Sequence, residues 1–124
     1  MNESILTSIK KMLGITESYT QFDMDLIIHI NSVISILTQL GVGPETGFII
    51  SDKNKTWADW FTQSNDLESV KTYILLRVRL IFDPPANSTV VKAYEEIIRE
   101  LTFRLQVTAD PPLEIVEEEE EEVW

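Results

Sequence analysis

The stretch KTYILLRVRLIFDPP, residues 71–85, constrains the fold more than any other part of the chain. At about 100° per residue its apolar side chains occupy almost every side, a pattern typical of a helix that other elements enclose. Arg77 projects into the richest apolar arc, whereas Arg79 falls with Thr72 on the far side. Proline lacks an amide hydrogen and disfavours helical geometry in the residue before it. The sequence therefore predicts a central helix that ends at the Asp-Pro-Pro of positions 83–85.

Two amphipathic segments precede this central helix and are predicted to be helices. In the first, SILTSIKKML, the apolar residues fall within one arc, and Asn2 or Ser4 is placed to cap its start. In the second, Thr20 and Asp23 have the spacing of a capping box, and Gly41 marks the stop. The predicted core stripe of this second helix is Leu26, Ile30, Val33, Ile34, Leu37 and Leu40. Its predicted solvent face is Asn31, Ser35, Thr38 and Gln39.

The helical period is lost in a glycine-containing loop between residues 42 and 55. Phe48-Ile49-Ile50 within this loop is a candidate short strand, but a lone strand needs a partner in this chain or in a neighbouring one. After the loop, Thr56 and Asp59 again have capping-box spacing and predict a short helix. The aromatic residues of this short helix are Trp57, Trp60 and Phe61. They are either ordinary core or an exposed anchor for a partner.

A final long helix, TVVKAYEEIIRELTFRLQV, follows the proline turn. Asn87 or Ser88 is placed to cap it, as Asn65 is placed to cap the central helix with Glu68 three residues later. Its apolar arc is predicted to be Val90, Val91, Tyr94, Ile97, Ile98, Leu101 and Leu105. Its predicted i,i+4 ion pairs are Glu95/Arg99 and Glu100/Arg104. Phe103 lies alone on the polar side.

Charge is divided unevenly along the 124 residues, whose net charge is −11. Residues 110–124 carry eight of the 21 acidic side chains and none of the ten basic ones, so residues 1–109 carry a net charge of only −3. A nucleic-acid grip would need clustered basic side chains to displace phosphate counterions, and the sequence has no such cluster. We therefore expect a helical domain over residues 1–109 and an acidic C-terminal tail over residues 110–124.

Several classes of chemistry are not expected of this chain. It has no cysteine and a single histidine, His29, so disulfides, thiolate chemistry and His/Cys metal pairs are excluded. His29 is predicted to be a packed or interfacial imidazole, because no orienting partner for catalysis is evident. No nucleophile motif or phosphate-binding loop is present, and no apolar run reaches the about 18 residues of a membrane span. We expect a soluble protein that is not an enzyme and has no cofactor.

Arg77 and the glutamate run Glu117–Glu122 each allow two interpretations. A buried guanidinium needs a partner, because its desolvation costs several kcal/mol if it is unpaired. That partner is an acid of this chain or one of a neighbouring subunit. The glutamate run is either a solvated tail or part of a docking segment, because apolar residues bracket it. The bracketing residues are Leu113, Ile115 and Val116 on one side and Val123 and Trp124 on the other.

The order TSIKKMLGI, INSVISILTQLGVGP and VKTYILLRVRLIFDPP, followed by a polar cap and a closing helix, resembles the head-tail connector, or adaptor, proteins of long-tailed bacteriophages. The resemblance covers about residues 5–107, and its most specific part is the arginine-bearing helix ended by FDPP. It implies an all-α fold, a small bundle of four to five helices with a long glycine-containing loop, here extended by the acidic tail. It also implies a structural protein of the virion neck, assembled in the cytoplasm of the bacterial host.

Such connectors form a homo-oligomeric ring under the portal protein, extend the channel through which DNA passes without specific binding, and join the next neck or tail-completion protein. In this setting we expect the tail to dock as an extended strand on the portal or on a neighbouring subunit. The expected portal-binding residues are Leu113, Ile115, Val116, Glu117, Glu118, Glu119, Val123 and Trp124. The expected subunit or neck interface residues are Phe48, Ile49, Ile50, Trp57, Trp60, Arg77 and Phe103. The alternative is an acidic helical module that regulates a DNA-binding partner.

Overall fold

The computed structural model describes residues 1–61 and 66–109, and over these ranges the chain is an all-α bundle, as predicted. The five helices are α1 (Ile5–Met12), α2 (Asp23–Gln39), α3 (Trp57–Trp60), α4 (Leu67–Phe82) and α5 (Ser88–Ala109). The one β-type pairing in the described part of the chain is an isolated bridge between Ser4 and Thr56. None of the helices described is both long and apolar enough to cross a bilayer.

The central position predicted for α4 is confirmed. This helix packs against α1, α2 and α5, and α2 and α5 have their main contacts with it. Its buried side chains are Leu67, Val70, Tyr73, Ile74, Leu76 and Val78. The helix ends at Phe82, and Asp83 leaves helical geometry with φ −149° and ψ 69°. The proline pair therefore acts as its sequence predicts.

The start of α1 is capped as predicted, but the start of α2 is not. The Ser4 hydroxyl accepts a hydrogen bond from the Thr7 N–H at 3.1 Å. At α2 the N-cap is Phe22, with no side-chain cap, so the predicted capping box of Thr20 and Asp23 is wrong. The Asp23 carboxylate instead lies 2.8 Å from the Nζ of Lys10, a side chain that is almost completely buried. A buried cation is the stronger competitor for this carboxylate, because it would otherwise be left unpaired.

The short helix α3 forms with the predicted capping box. Thr56 and Asp59 exchange hydrogen bonds, and the Thr56 N–H donates to the Asp59 carboxylate at 2.8 Å. This backbone hydrogen bond is the main cause of a lowered pKa of Asp59. Trp57 and Trp60 are buried, with Trp57 donating from Nε1 to the Ser8 hydroxyl at 3.1 Å. The aromatic cluster had two interpretations, ordinary core or an exposed anchor. In this fold both tryptophans belong to the core.

The loop before α3 is held by Asn31, a residue predicted on the solvent face of α2. Asn31 is in fact partly buried, and its amide bonds both backbone groups of Ile50: Ile50 N–H to Oδ1 at 2.8 Å and Nδ2 to the Ile50 carbonyl at 2.9 Å. Phe48-Ile49-Ile50 does not form a strand in the described chain. A side chain of α2 takes the place of the missing strand partner.

The last helix is less buried than its apolar arc predicts. Ile98, Leu101 and Leu105 are buried, but Val90 and Ile97 are exposed. The reason is that α5 packs mainly on α4, and one neighbour covers a narrower face than the arc spans.

The predicted polar features of α4 and α5 have mixed outcomes. Asn87 caps α5 through its Oδ1, which accepts the Thr89 N–H at 2.7 Å. Arg104 pairs with Glu100 as predicted, whereas Arg99 pairs with Glu96 rather than Glu95. The N-cap of α4 is Asp66, without a side-chain hydrogen bond, and the predicted cap Asn65 lies outside the described residues.

Candidate interaction surfaces

Arg77 is more than half buried, as its place in the apolar arc indicates. Its guanidinium carbon lies 5.1 Å from the centroid of the Tyr73 ring, and the Tyr73 hydroxyl is in turn 3.4 Å from the Thr102 hydroxyl of α5. The Nε of Arg77 is buried without a hydrogen-bond partner. Within residues 1–61 and 66–109 no carboxylate lies within 4 Å of this guanidinium. The described body therefore positions the cation but supplies no acid for it.

Lys10 is a buried cation whose partners lie within the described chain. Its Nζ lies 2.8 Å from Asp23 and donates to the Glu17 carbonyl at 3.0 Å. The contact with Asp23 is a close ion pair rather than a well-aligned hydrogen bond. The pair joins α1 to the start of α2 across the intervening turn. The contrast with Arg77 is that Lys10 has both a carboxylate and a carbonyl within the described chain.

The loop over residues 42–55 rests on the aromatic residues of α3. The Phe48 ring stacks on Trp60 with centroids 5.6 Å apart and 4° between planes. Gly43 has φ +84°, and a Cβ built there would lie 2.5 Å from the Trp60 Nε1, so only glycine fits without a shift. The Nζ of Lys55 lies over the Phe48 ring, 5.9 Å from its centroid. The loop is thus anchored at Phe48 and at Ile50, on either side of Ile49.

Ile49 and Phe103 are the exposed members of the predicted interface set, at 67% and 68%. Phe48 is partly buried, and Ile50, Trp57 and Trp60 are buried within this chain. The buried residues position the loop, and the exposed ones are available to a partner. The assignment of these residues to a subunit or neck interface stays a prediction.

Phe103 lines an open groove of about 340 Å³ at the end of α5. The groove runs between α5 and the start of α4, and Leu105 forms part of its wall. The other residues that line it are Asp66, Ser69, Arg104, Val107 and Thr108. The predicted portal-binding residues, from Leu113 to Trp124, lie outside the described part of the chain.

A second apolar surface lies where the start of α2 meets the end of α4. The Phe22 ring is 5.1 Å from Phe82 and 5.6 Å from Tyr19. Ile81, which belongs to the apolar arc of the central helix and precedes Phe82 in the chain, is 56% exposed. Over the described ranges, no three acidic or histidine side chains lie together as a metal site would require.

The sequence did not predict the contact of Asn31 with Ile50 or the exposure of Ile81 at the end of α4. A signal for Asn31 was available: one asparagine carries the donor and the acceptor that a lone strand lacks, and the chain has an unpaired strand-like triplet. No comparable signal identified Ile81, because its exposure depends on how far α2 and α5 extend along α4.

Comparison with known proteins identifies a family. The family model described as phage connector protein matches residues 5–112, a range that contains all five helices. No curated protein and no solved structure matches the chain.

Proposed function

This chain belongs to the phage connector protein family, and we propose that it is a structural virion protein that forms a ring under the portal. In this role it extends the DNA channel and joins the head to the next neck or tail protein. The observation that carries the proposal is the family match over residues 5–112. The site of action is the neck of the virion, and the role is one of assembly without catalysis.

Ring formation is supported by groups that the described body leaves available to another chain. Ile49 and Phe103 are large apolar side chains that are about two-thirds exposed, on the loop and on α5 respectively. Arg77 is positioned by Tyr73 without an acid in the described body. Exposed apolar groups and a cation without a local acid are features that subunit contacts satisfy.

Passage of DNA without specific binding is supported by the charges of the body. Residues 1–109 have a net charge of −3. Lys10, Lys71, Arg99 and Arg104 each have an acidic partner within 4 Å. A body of this kind attracts phosphates weakly, because its acidic side chains outnumber its basic ones and give it no net positive charge.

Attachment is assigned to the acidic C-terminal segment, which docks on the portal or on a neighbouring subunit. The support is its composition: Leu113, Ile115 and Val116 supply apolar contacts, and the six glutamates supply a charge that a basic rim complements. Val123 and Trp124 then anchor the end of the chain.

The proposal is tested by size-exclusion chromatography with light scattering on the full chain, alone and with purified portal. We expect a ring or a stable complex with portal. We also expect that the chain does not compete with DNA for binding to a DNA-binding protein. A protein that stays monomeric in both samples and displaces DNA from a DNA-binding partner would contradict the proposal. That result would favour the acidic helical module instead.

A further inference from the structure

Residues 48–51 have one hydrogen-bonding edge occupied and the other open. Both backbone groups of Ile50 bond the same Asn31 amide, so they point to the same side, as they do in an extended residue. Because a trans peptide unit holds its N–H and C=O on opposite sides, the carbonyl of Ile49 and the N–H of Ser51 point away from Asn31. Neither has a backbone hydrogen bond within the described ranges, and both side chains are exposed. The open edge is therefore accessible.

This edge is also preorganised. Ile50 is 1% exposed, and Phe48 stacks on Trp60, so the side chains on both sides of Ile49 are fixed in the fold. A segment that is already ordered loses little conformational entropy when it pairs. An ordered, apolar strand edge is a template for a strand from another chain.

We propose that this edge pairs with residues 113–116 of a neighbouring copy, an inference that rests on the proposed ring. The segment Leu-Glu-Ile-Val is short and apolar, with two β-branched residues suited to strand pairing. One open edge and one such segment per copy form a head-to-tail contact, which a ring closes.

Charge complementarity favours residues 113–116 as the segment that pairs with this edge and indicates that the two segments run parallel. The exposed Lys53 and Lys55 follow the edge, and Glu117–Glu122 follow the apolar segment. Parallel pairing places the glutamates beside the two lysines. Asp52, the acid nearest to them in sequence, accepts a hydrogen bond from the Asn54 N–H at 2.8 Å within its own turn.

The chain has no cysteine, so introduced cysteines report on this pairing directly. Full-length Ile49→Cys protein is mixed with full-length Leu113→Cys or Ile115→Cys protein of different mass, and the mixture is assembled with portal under mild oxidation. A disulfide requires Cα atoms about 4.4–6.8 Å apart, so only paired positions crosslink efficiently. The matched control replaces Ile49→Cys with Ile28→Cys, another exposed isoleucine, on α2.

At about 0.1 mM chain, we expect about tenfold more crosslinked heterodimer from position 49 than from position 28, because docked segments have millimolar effective concentrations. Equal crosslinking at the two positions would overturn the inference. So would a variant with both cysteines in one chain that crosslinks only within that chain. Light scattering on the same samples separates the two failures: a ring without the preferred crosslink overturns this inference alone, whereas a monomer with and without portal overturns the ring as well.

A second measurement tests the backbone pairing. Ser51→Pro removes the amide hydrogen on the open edge, whereas Ser51→Ala removes the side-chain hydroxyl and keeps that hydrogen. We expect the proline variant to assemble several-fold less than the alanine variant while its far-ultraviolet circular dichroism is unchanged. Equal assembly of two folded variants would count against a strand-type contact.

Discussion

The Asn31 side chain bonds the backbone of Ile50 from 19 residues away, with distances of 2.8 and 2.9 Å. One amide thereby satisfies a donor and an acceptor of a residue that is almost completely buried. This contact fixes the loop to α2 and determines which edge of residues 48–51 stays open. The position of the loop around Ile49 thus depends on a partly buried residue of α2.

Asn31→Ala should therefore destabilise the fold, because it leaves both Ile50 backbone groups buried and unsatisfied. We expect a loss of about 1–3 kcal/mol in the free energy of unfolding, measured by urea denaturation. Ser35→Ala on the exposed face of the same helix is the control and should change it by less than about 0.5 kcal/mol. Hydrogen exchange at the Ile50 amide should accelerate only in the Asn31 variant, and unchanged protection there would contradict the clamp.

Removing only one member of the pair of Lys10 and Asp23 should lower the free energy of unfolding more than replacing both residues does. Asp23→Ala leaves a buried ammonium without its carboxylate, and we expect a loss of about 2–4 kcal/mol, moderated by the partial exposure of Asp23. Lys10→Met combined with Asp23→Asn removes both charges and should cost less than about 1.5 kcal/mol. A double-mutant cycle measured by urea unfolding tests this, and additive effects of the single changes would contradict a coupled pair.

Arg77→Leu should change the free energy of unfolding of the isolated chain by less than about 1 kcal/mol, because the described body supplies no acid that the substitution would leave unpaired. Arg77→Ala should cost about 1–2 kcal/mol, since it also removes the contact with Tyr73 and leaves a void. If an acid of a neighbouring subunit pairs with Arg77, the leucine variant should weaken the ring. Arg99→Leu, on the exposed face of α5, is the control for assembly. Equal assembly of wild type and both variants would remove Arg77 from the interface.

The pH dependence of stability should include a contribution from Asp59. Its pKa is lowered from 3.8, chiefly by the hydrogen bond from the Thr56 N–H, so the folded state favours the charged carboxylate. Such a group stabilises the fold above its unfolded pKa, and the contribution is lost as the pH falls through the lowered folded pKa. Asp59→Asn should therefore flatten the stability profile below about pH 4. An unchanged slope in acid-range thermal melts would contradict this assignment.

The sequence predicts those features that short-range chemistry controls. The stop of α4 before Pro84 and the capping box of Thr56 and Asp59 depend on neighbouring residues only, and both form. The capping box at Thr20 fails because Lys10, from another helix, takes the Asp23 carboxylate. Tertiary contacts of this kind have no local pattern, so sequence periodicity cannot rank them against a cap.

The features of the candidate interface also divide into those that sequence periodicity predicts and those that depend on tertiary contacts. Periodicity identifies Phe103 as an exposed aromatic residue and Arg77 as a charge in an apolar arc. It places Asn31 on the solvent face because the returning loop that covers this residue lies 19 positions later in the chain. The exposure of Ile97 escapes prediction for a related reason, since a single packing neighbour leaves part of an apolar arc uncovered.

Deletion of residues 110–124 should leave the helical body folded and weaken attachment to portal. The buried core in the described structure comes entirely from residues 5–105, so the truncation removes none of it. The expected loss of affinity follows from the loss of the docking contacts of Leu113, Ile115, Val116 and the glutamates after them, whether these contacts lie on the portal or within the ring that binds it. Because part of the contact is electrostatic, attachment of the full chain should also weaken with salt, although less than for an exposed ion pair alone.

A full-length variant with all six residues of Glu117–Glu122 changed to glutamine separates the two contributions. It keeps the length and the apolar residues and makes the net charge less negative, from −11 to −5, since six of the 21 acids are removed. We expect its portal affinity to lie between those of the full chain and the truncated chain and to lose most of its salt dependence. Titration of portal at low and high salt, followed by light scattering, measures all three proteins. If the truncated chain binds portal as tightly as the full chain at both salt concentrations, the acidic segment only increases solubility, and attachment must be carried by the helical body through surfaces such as the one around Phe103.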